Sequence, residues 1–421
     1  MKQKVLIENK KNKKNKKNKK TPYWIRLVIV FFLGWIFIYG NRAILTPVIG
    51  EIKSDYSLNN AEIGLMNSLF FLAYTIVQIP SGYLGDMYSK KWVLVPGFLI
   101  SGIFLAVTGL SEGYLLLISA WMISGIGQGT FYGPQFALSS ESIPNKYRTI
   151  GSAIINSGGA IGLSLGFIFS SYFTLSLGFS WRITFFIFAL LTIIVSIIML
   201  FTIKNDSENK NSIKRKIDIE EKKFSSSIKL LLMNRNLIVS YIVAFCSLYG
   251  FSVMVTWLPY YLQTEQGIEG SIAGYLSSII ALLALPGSIL FSWINDRFQK
   301  HVKIMKFMLI FSSIFTFLIG FTNSTVWIIV GLVLYGFMGK IAMDPIIVAF
   351  VANNAPQNLY STTFGLYNFI GMSSSVLAPY ITGVLSIYTG SMKAGFYLAS
   401  VFLLIGHFSL ILIREKDANI Q

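Results

Sequence analysis

A chain of 421 residues in which 54% are hydrophobic and only 13% charged is not a soluble globular protein, because an ordinary soluble domain carries about 25% charged residues. The mean hydropathy of +0.62 points to a bilayer. The net charge of +17 implies no nucleic acid, since ten of the lysines fall within the first 20 residues. The lone Cys246 lies in an apolar stretch, which excludes a disulfide framework or a cysteine zinc site, and neither metal nor cofactor is expected.

Residues 1–22 form a lysine-rich tail of low complexity, expected to be disordered and to sit near anionic lipid on the cytoplasmic side. Beyond it, apolar stretches recur along the chain. A spanning helix needs about 20 mostly apolar residues to cross a hydrocarbon core of about 30 Å, and backbone groups at that depth must be satisfied within the segment. Twelve spans are read, at 24–48, 61–83, 92–110, 115–139, 150–173, 182–203, 237–262, 271–293, 305–321, 326–351, 361–386 and 394–414. The first is too long for a signal peptide, and no small-residue cleavage site follows Pro47. With this count, one side of the membrane collects 30 of the 35 lysines and arginines, while the other keeps only Lys53, Arg182 and Lys393. The excess marks the cytoplasmic side, so both termini are expected there, in a plasma or inner membrane.

The polar connector 204–236 separates an N-terminal half, 23–203, from a C-terminal half, 237–414, with a short cytoplasmic tail at 415–421. The halves repeat. At an offset of 210, Gly40 matches Gly250, Gly64 matches Gly274, Ser68 matches Ser278 and Asp86 matches Asp296. Later the offset becomes 212, pairing Pro144 with Pro356, Asn156 with Asn368 and Gly159 with Gly371. The expected fold is therefore an all-α membrane protein of twelve transmembrane helices in two pseudo-symmetric six-helix halves. Such repeats place a solute site at their interface and let one half rock against the other.

Two intramembrane constellations carry chemistry. Arg42 lies 18 residues into the first span, where an unpaired charge costs several kcal/mol and so must face a cavity or a partner. Its planar fork suits a carboxylate, and Tyr39, three residues earlier, shares its helical face. The alternative is a structural pair with an acid. Lys340 and Asp344 are four apart on one face of the tenth span. They form either a self-neutralising pair or a protonatable switch that links proton and anion movement. His407 reads as a packed histidine, and Glu141, at the cytoplasmic end of the fourth span, as a solvated acid. The fifth and eleventh spans offer no lysine or arginine for a second anionic group, which argues against phosphate esters and dicarboxylates unless Lys340 fills that place.

The stretch Gly82-Tyr-Leu-Gly-Asp86-Met-Tyr-Ser-Lys90-Lys91 resembles the loop between the second and third spans that marks the major facilitator superfamily. Gly82, Leu84, Gly85, Asp86, Lys90 and Lys91 fit that pattern, while Met87 and Ser89 depart from it; an echo, Ser292-Trp-Ile-Asn-Asp296-Arg297, stands in the second half. The resemblance covers residues 23–414. Within the superfamily the chain is most similar to the anion:cation symporters, on Tyr39-Gly-Asn-Arg42, Phe71-Leu-Ala-Tyr74 with Gln78-Ile-Pro80-Ser-Gly82, Trp181-Arg182, Trp257-Leu-Pro259-Tyr-Tyr-Leu262, and Asn368-Phe-Ile-Gly371 with Ala378-Pro379. It implies that Tyr74 and Asn368 complete a polar wall around Arg42. It also implies a cytoplasmic gate of Gly82, Asp86, Lys90, Lys91, Asp296 and Arg297, with Asp86 meeting the start of the eleventh span near Ser361 and Thr362 and Asp296 that of the fifth near Thr149. Many proton-coupled members carry an aspartate before the arginine of the first span; here Asn41 stands there, so proton coupling rests on Asp344.

These readings converge on a monomeric secondary transporter of a small organic anion, a monocarboxylate or sugar acid, working by alternating access with a proton or another cation as possible co-substrate and lipid as its surroundings. An exchanger of organophosphates or dicarboxylates is the nearest alternative, and a transport-inactive sensor or scaffold is the alternative from another class. An enzyme is excluded for want of a nucleophile–base pair, a metal cluster or a Walker loop.

Overall fold

The computed structural model describes residues 21–87, 89–205, 230–356 and 359–413. The lysine-rich tail, most of the connector and the C-terminal tail lie outside the described residues. Among those described, twelve helical spans are long and apolar enough to cross a membrane: Tyr23–Tyr56, Asn60–Gly85, Lys90–Leu110, Tyr114–Ser142, Ile150–Ser176, Trp181–Thr202, Arg235–Thr264, Gly270–Phe298, His301–Phe321, Thr325–Asn354, Thr362–Thr389 and Lys393–Leu412. Their number and order are those expected, and several are longer than the apolar pattern. The first continues to Tyr56 because a short helix, Ile49–Tyr56, follows Pro47 and carries Glu51, Lys53 and Asp55. The eighth runs on through Asn295, Asp296 and Arg297 to Phe298. Hydropathy stops where the lipid stops, whereas a helix stops only where its backbone does. For the same reason Asp86 lies in the last turn of helix Asn60–Met87 and not in a loop after it.

Three spans are broken near the middle of the molecule. The first has a 3-10 turn at Thr46–Val48 around Pro47, the fourth breaks between Gly129 and Tyr132, and the tenth breaks at Gly339. Such interruptions are tolerated at membrane depth where the freed backbone faces protein or a cavity.

In the first half the first span packs on the fifth and sixth, and the second and third pack on the fourth; in the second half the seventh packs on the eleventh and twelfth, and the eighth and ninth on the tenth. The fit of the first and fifth spans depends on small residues. A Cβ at Gly158, Gly162 or Gly166 would come within 2.5, 2.1 and 2.6 Å of the Phe32, Ile36 and Gly40 carbonyl oxygens. That four-residue spacing is the close-packing stripe of membrane helices.

The halves meet through two pairs of spans, the second with the eleventh and the fifth with the eighth. These pairs exchange under the internal repeat, and each carries a close glycine contact at an equivalent position. A Cβ at Gly64 would lie 2.5 Å from the Pro379 carbonyl oxygen, and one at its repeat mate Gly274 would lie 1.8 Å from Ser171 Oγ. On the lysine-poor face the seam is also hydrogen-bonded. Lys53 Nζ donates to Tyr260 Oη at 2.7 Å, Asn60 Nδ2 to Ser386 Oγ at 2.9 Å and Gln263 Nε2 to the Pro47 carbonyl at 2.9 Å. Deeper in, Ser164 Oγ donates to the Ser278 carbonyl at 3.3 Å, and Asn368 Nδ2 to Gln78 Oε1 at 2.6 Å. From there toward the lysine-rich face, no hydrogen bond joins the halves among the described residues, and a Cβ at Gly82 or Gly365 would have nothing within 4 Å. The described hydrogen bonds across the seam therefore lie between the middle of the molecule and its lysine-poor face.

The lysine-poor face is further tied by Trp181 and Arg182. Trp181 Nε1 donates to Asp55 at 2.8 Å, while Arg182 donates to the Gly109 and Ser111 carbonyls at 2.9 and 2.6 Å. Replacing Gly274 by leucine should hold this face ajar. Overpacking of that kind costs about 1–3 kcal/mol, so a short thiol cross-linker between cysteines at 60 and 386, in a Cys246→Ser background, should react about fivefold less or lower.

Candidate functional site

Arg42 occupies the last turn of helix Tyr23–Ala43, where unpaired carbonyls give the helix end a partial negative charge. Its side chain is 8% exposed. Nε donates to Gln128 Oε1 at 2.9 Å, from the fourth span just before its break. The guanidinium carbon stands 5.2, 5.7, 5.4 and 4.4 Å from the ring centroids of Tyr39, Phe70, Phe71 and Tyr74, each within range of a cation–π attraction. Nη2 is buried without a hydrogen-bond partner, as is Nε2 of Gln128. Among the described residues no carboxylate pairs with Arg42; the ion pairs are Lys90–Glu141, Arg182–Asp55 and Lys340–Asp344. Asn41, the neighbour of Arg42, turns the other way, donating to Thr192 Oγ1 at 3.0 Å in the packing of the first span on the sixth.

The second constellation faces the first across the seam. Lys340 opens helix Lys340–Asn354 directly after extended Gly339, a poor place for a cation because helix starts carry partial positive charge. Asp344, one turn on, answers it: Lys340 Nζ and the Asp344 carboxylate are hydrogen-bonded. Tyr367 of the eleventh span donates to the same carboxylate at 3.0 Å. Lys340 is 9% exposed while the Asp344 side chain is 47% exposed, so the lysine is the inner member and the acid the one in reach of solvent. Tyr39 lies within electrostatic range of Arg42, Tyr74 and Asp344, and Tyr132 within range of Tyr74, Asp344 and Tyr39. Arg42, Tyr39 and Tyr74 therefore share one cluster with Lys340 and Asp344. Asn368 reaches it through Gln78, one helical turn from Tyr74, whose Nε2 is likewise buried and unpartnered.

The described contacts of the gate residues lie within their own half. Lys90 Nζ donates to both oxygens of Glu141 at 2.8 and 2.9 Å. Glu141 thus ties the start of the third span to the fourth and is more than a solvated acid. Lys91 lies 5.6 Å from the Trp92 ring and Arg297 5.5 Å from that of Trp293. Asp296 is exposed. The contacts expected of Asp86 with Ser361 and of Asp296 with Thr149 rest on the side chains of Asp86, Ser361 and Thr149, which lie outside those described. His407 is packed, its Nδ1 2.9 Å from the Lys306 carbonyl oxygen.

Four polar residues of the cluster are additions to the sequence reading: Gln128, Gln78, Tyr132 and Tyr367. Gln128 carried a signal, being one of two amides in the fourth span, with Gln135; Tyr132 and Tyr367 resemble the many tyrosines that merely pack.

Two repeated six-helix bundles closing around buried charge at their seam form the architecture of a membrane transporter. The chain belongs to the Major Facilitator Superfamily, whose sequence profile matches residues 31–379. A probable galactarate/D-glucarate transporter of Escherichia coli K12 is 24% identical over 430 residues, covering 95% of this chain and 94% of the relative. A D-galactonate transporter of an Escherichia coli O6:H1 strain is 25% identical, covering 92% and 94%, and a cis,cis-muconate transport protein of Acinetobacter baylyi is 23% identical, covering 90% and 91%. Among solved structures, a bacterial homologue of the lysosomal transporter Spinster in an inward-facing, occupied conformation superposes with a TM-score of 0.76 at 16% identity, over 93% of this chain and 97% of that one. A D-xylose–proton symporter gives 0.74 at 15%, over 90% and 97%. The chain is a multi-pass membrane transporter and not an enzyme.

Breaking the Lys340–Asp344 pair from one side leaves an uncompensated buried cation. Asp344→Asn should lower the thermal unfolding midpoint in detergent, and Lys340→Met with Asp344→Asn should recover part of that loss.

Proposed function

We propose that this chain moves a small organic anion of the sugar-acid class across the cell membrane by alternating access, with the substrate carboxylate held on Arg42. The single observation that carries this reading is a buried guanidinium whose Nη2 has no partner and which no acid among the described residues neutralises. A guanidinium stays charged at any physiological pH and presents a fork that matches a carboxylate. The anion completes the charge balance that the protein leaves open. Tyr39 and Tyr74 supply hydroxyls and flat aromatic surface beside it, suited to a sugar chain with polar edges and apolar faces.

The lysine-rich face is taken as cytoplasmic by its basic residues, and the described bonds across the seam lie toward the opposite face, which supports an inward-facing reading. The anion enters from that side between Gly82 and Gly365. Neutralising Arg42 removes the penalty of enclosing it, and the halves then close on the cytoplasmic side. Opening on the other side requires the Lys53–Tyr260 and Asn60–Ser386 bonds to break. Asp344 is the acid of this cluster through which a proton can be coupled to transport, since Asn41 and Gln128 are amides and do not titrate.

A second reading, transport or exchange of dicarboxylates, is favoured by Lys340, which offers a second cation in the cluster. The relatives named for galactarate, D-glucarate and muconate, all dicarboxylates, support it.

Arg42→Lys tests the common part of both readings. Lysine keeps the charge but loses the fork, so substrate uptake into proteoliposomes should fall about a hundredfold, as expected for about 3 kcal/mol of charge-assisted bonding, while the unfolding midpoint moves little. Uptake at wild-type level would remove Arg42 from the site.

A further inference from the structure

The charges of the cluster do not balance for every acid. Arg42 and Lys340 contribute two positive charges and Asp344 one negative, and the tyrosines are neutral. One carboxylate on Arg42 closes the account. A second carboxylate would leave excess negative charge in a site of low dielectric, which is unfavourable unless an acid there is neutralised. Lys340 is the one cation of the cluster still to be reached, and the Asp344 carboxylate already occupies it.

We infer that the site takes acids of two valences by different routes: a monocarboxylate binds Arg42 and leaves the Lys340–Asp344 pair closed, whereas a dicarboxylate takes Lys340 as its second anchor and binds together with one proton on Asp344. The inference rests on the reading of Arg42 given above. Asp344 is placed for this role. Its side chain is nearly half exposed while Lys340 is buried, so the carboxylate is the member of the pair more accessible to an incoming acid and to a proton. The groups that face Asp344 are Lys340 on its own helix, Tyr367 from the eleventh span, Tyr39 from the first and Tyr132 from the fourth, with Arg42 acting on Tyr39 from the far side. Among the described residues no second acid faces it. An incoming carboxylate is therefore the negative charge that raises the proton affinity of Asp344. The proton comes from solvent and settles on a carboxylate oxygen. The other oxygen still accepts from Tyr367, and the new O–H donates to the substrate. Lys340, released from the aspartate, donates its three N–H groups to the second carboxylate.

Because the complex with a dicarboxylate then holds one proton more than the free carrier, its affinity rises as pH falls, by up to about tenfold per pH unit. A monocarboxylate shows no such slope. The test uses the purified full-length carrier with D-glucarate and D-galactonate as probes between about pH 6 and pH 8, where both probes are fully ionised because carboxyl groups titrate near about pH 4. Titration calorimetry in two buffers of different ionisation enthalpy counts the protons. D-Glucarate should take up close to one proton and weaken steeply with rising pH; D-galactonate should take up none. In Asp344→Asn the D-glucarate slope and its proton uptake should both vanish. In Lys340→Met with Asp344→Asn, which leaves Arg42 as the one cation of the cluster, the preference for D-glucarate over D-galactonate should fall by about tenfold, the scale of one lost charge-assisted contact. D-Glucarate binding without proton uptake, equal slopes for the two acids, or a slope that persists in Asp344→Asn would each overturn the inference. Wild-type binding of both acids by Arg42→Ala, or binding of neither by the wild type, would instead bring down the reading of Arg42 beneath it.

Discussion

The structure is organised around one charge that cannot be removed. Arg42 stays cationic at any physiological pH, and enclosing it among helices is affordable only if something answers it. Here the answer is partial by construction. The carbonyl end of its own helix, the Gln128 amide and four aromatic rings lower the penalty without cancelling the charge. Each of these depends on a local device in the chain. The helix end exists because the first span breaks at Thr46–Val48; Gln128 stands next to the break in the fourth span; and the glycine stripe of the fifth span holds the first span in place. An acid beside Arg42 would have made a more stable protein and a worse receptor for an anion.

The same logic explains why the breaks fall where the charges are. A continuous helix satisfies its backbone internally and offers nothing to a solute, whereas an interrupted one presents end groups and lets a side chain leave the packed surface. Arg42 sits at a carbonyl end, which suits a cation. Lys340 sits at an amide end, which does not, and that mismatch gives Asp344 its task. The two cations thus differ in kind: one is left open to be matched from outside, and the other is matched from inside by a group that can take up a proton.

Much of this was legible in the chain. The twelve spans followed from hydropathy because the bilayer forces each span to be apolar and helical, and the repeat was visible because glycines at helix crossings tolerate no substitute, as Gly64 and Gly274 show. Arg42, Lys340 and Asp344 stood out because charge at that depth demands a reason. What could not be read were the neutral partners. Gln78, Gln128, Tyr132 and Tyr367 belong to residue types that pack, bridge or bind with equal ease, and only their neighbours decide which. The stretches Trp181-Arg182 and Trp257-Leu-Pro259 carry the reverse lesson. They mark the family, yet the first ties helix ends on the lysine-poor face, and the second donates from Trp257 Nε1 to the Pro379 carbonyl at 3.1 Å to fasten the seventh span to the eleventh.

The repeat also shows where symmetry had to be given up. At the offset that pairs Gly40 with Gly250, Arg42 is matched by Ser252, which donates to Ser375 Oγ at 2.9 Å and carries no charge. The scaffold is twofold, with equivalent seams on the two sides of the molecule, and this lets one arrangement of the halves turn into the other at little net change in packing. A site with the same twofold charge would set two unmatched cations against each other across the seam. Placing the open cation in one half and the self-compensated pair in the other avoids that repulsion. On the proposed reading the substrate charge has to be supplied where the halves meet, and the energy of enclosing Arg42 is relieved with the anion in place. That dependence of closure on occupancy is what separates a carrier from a pore.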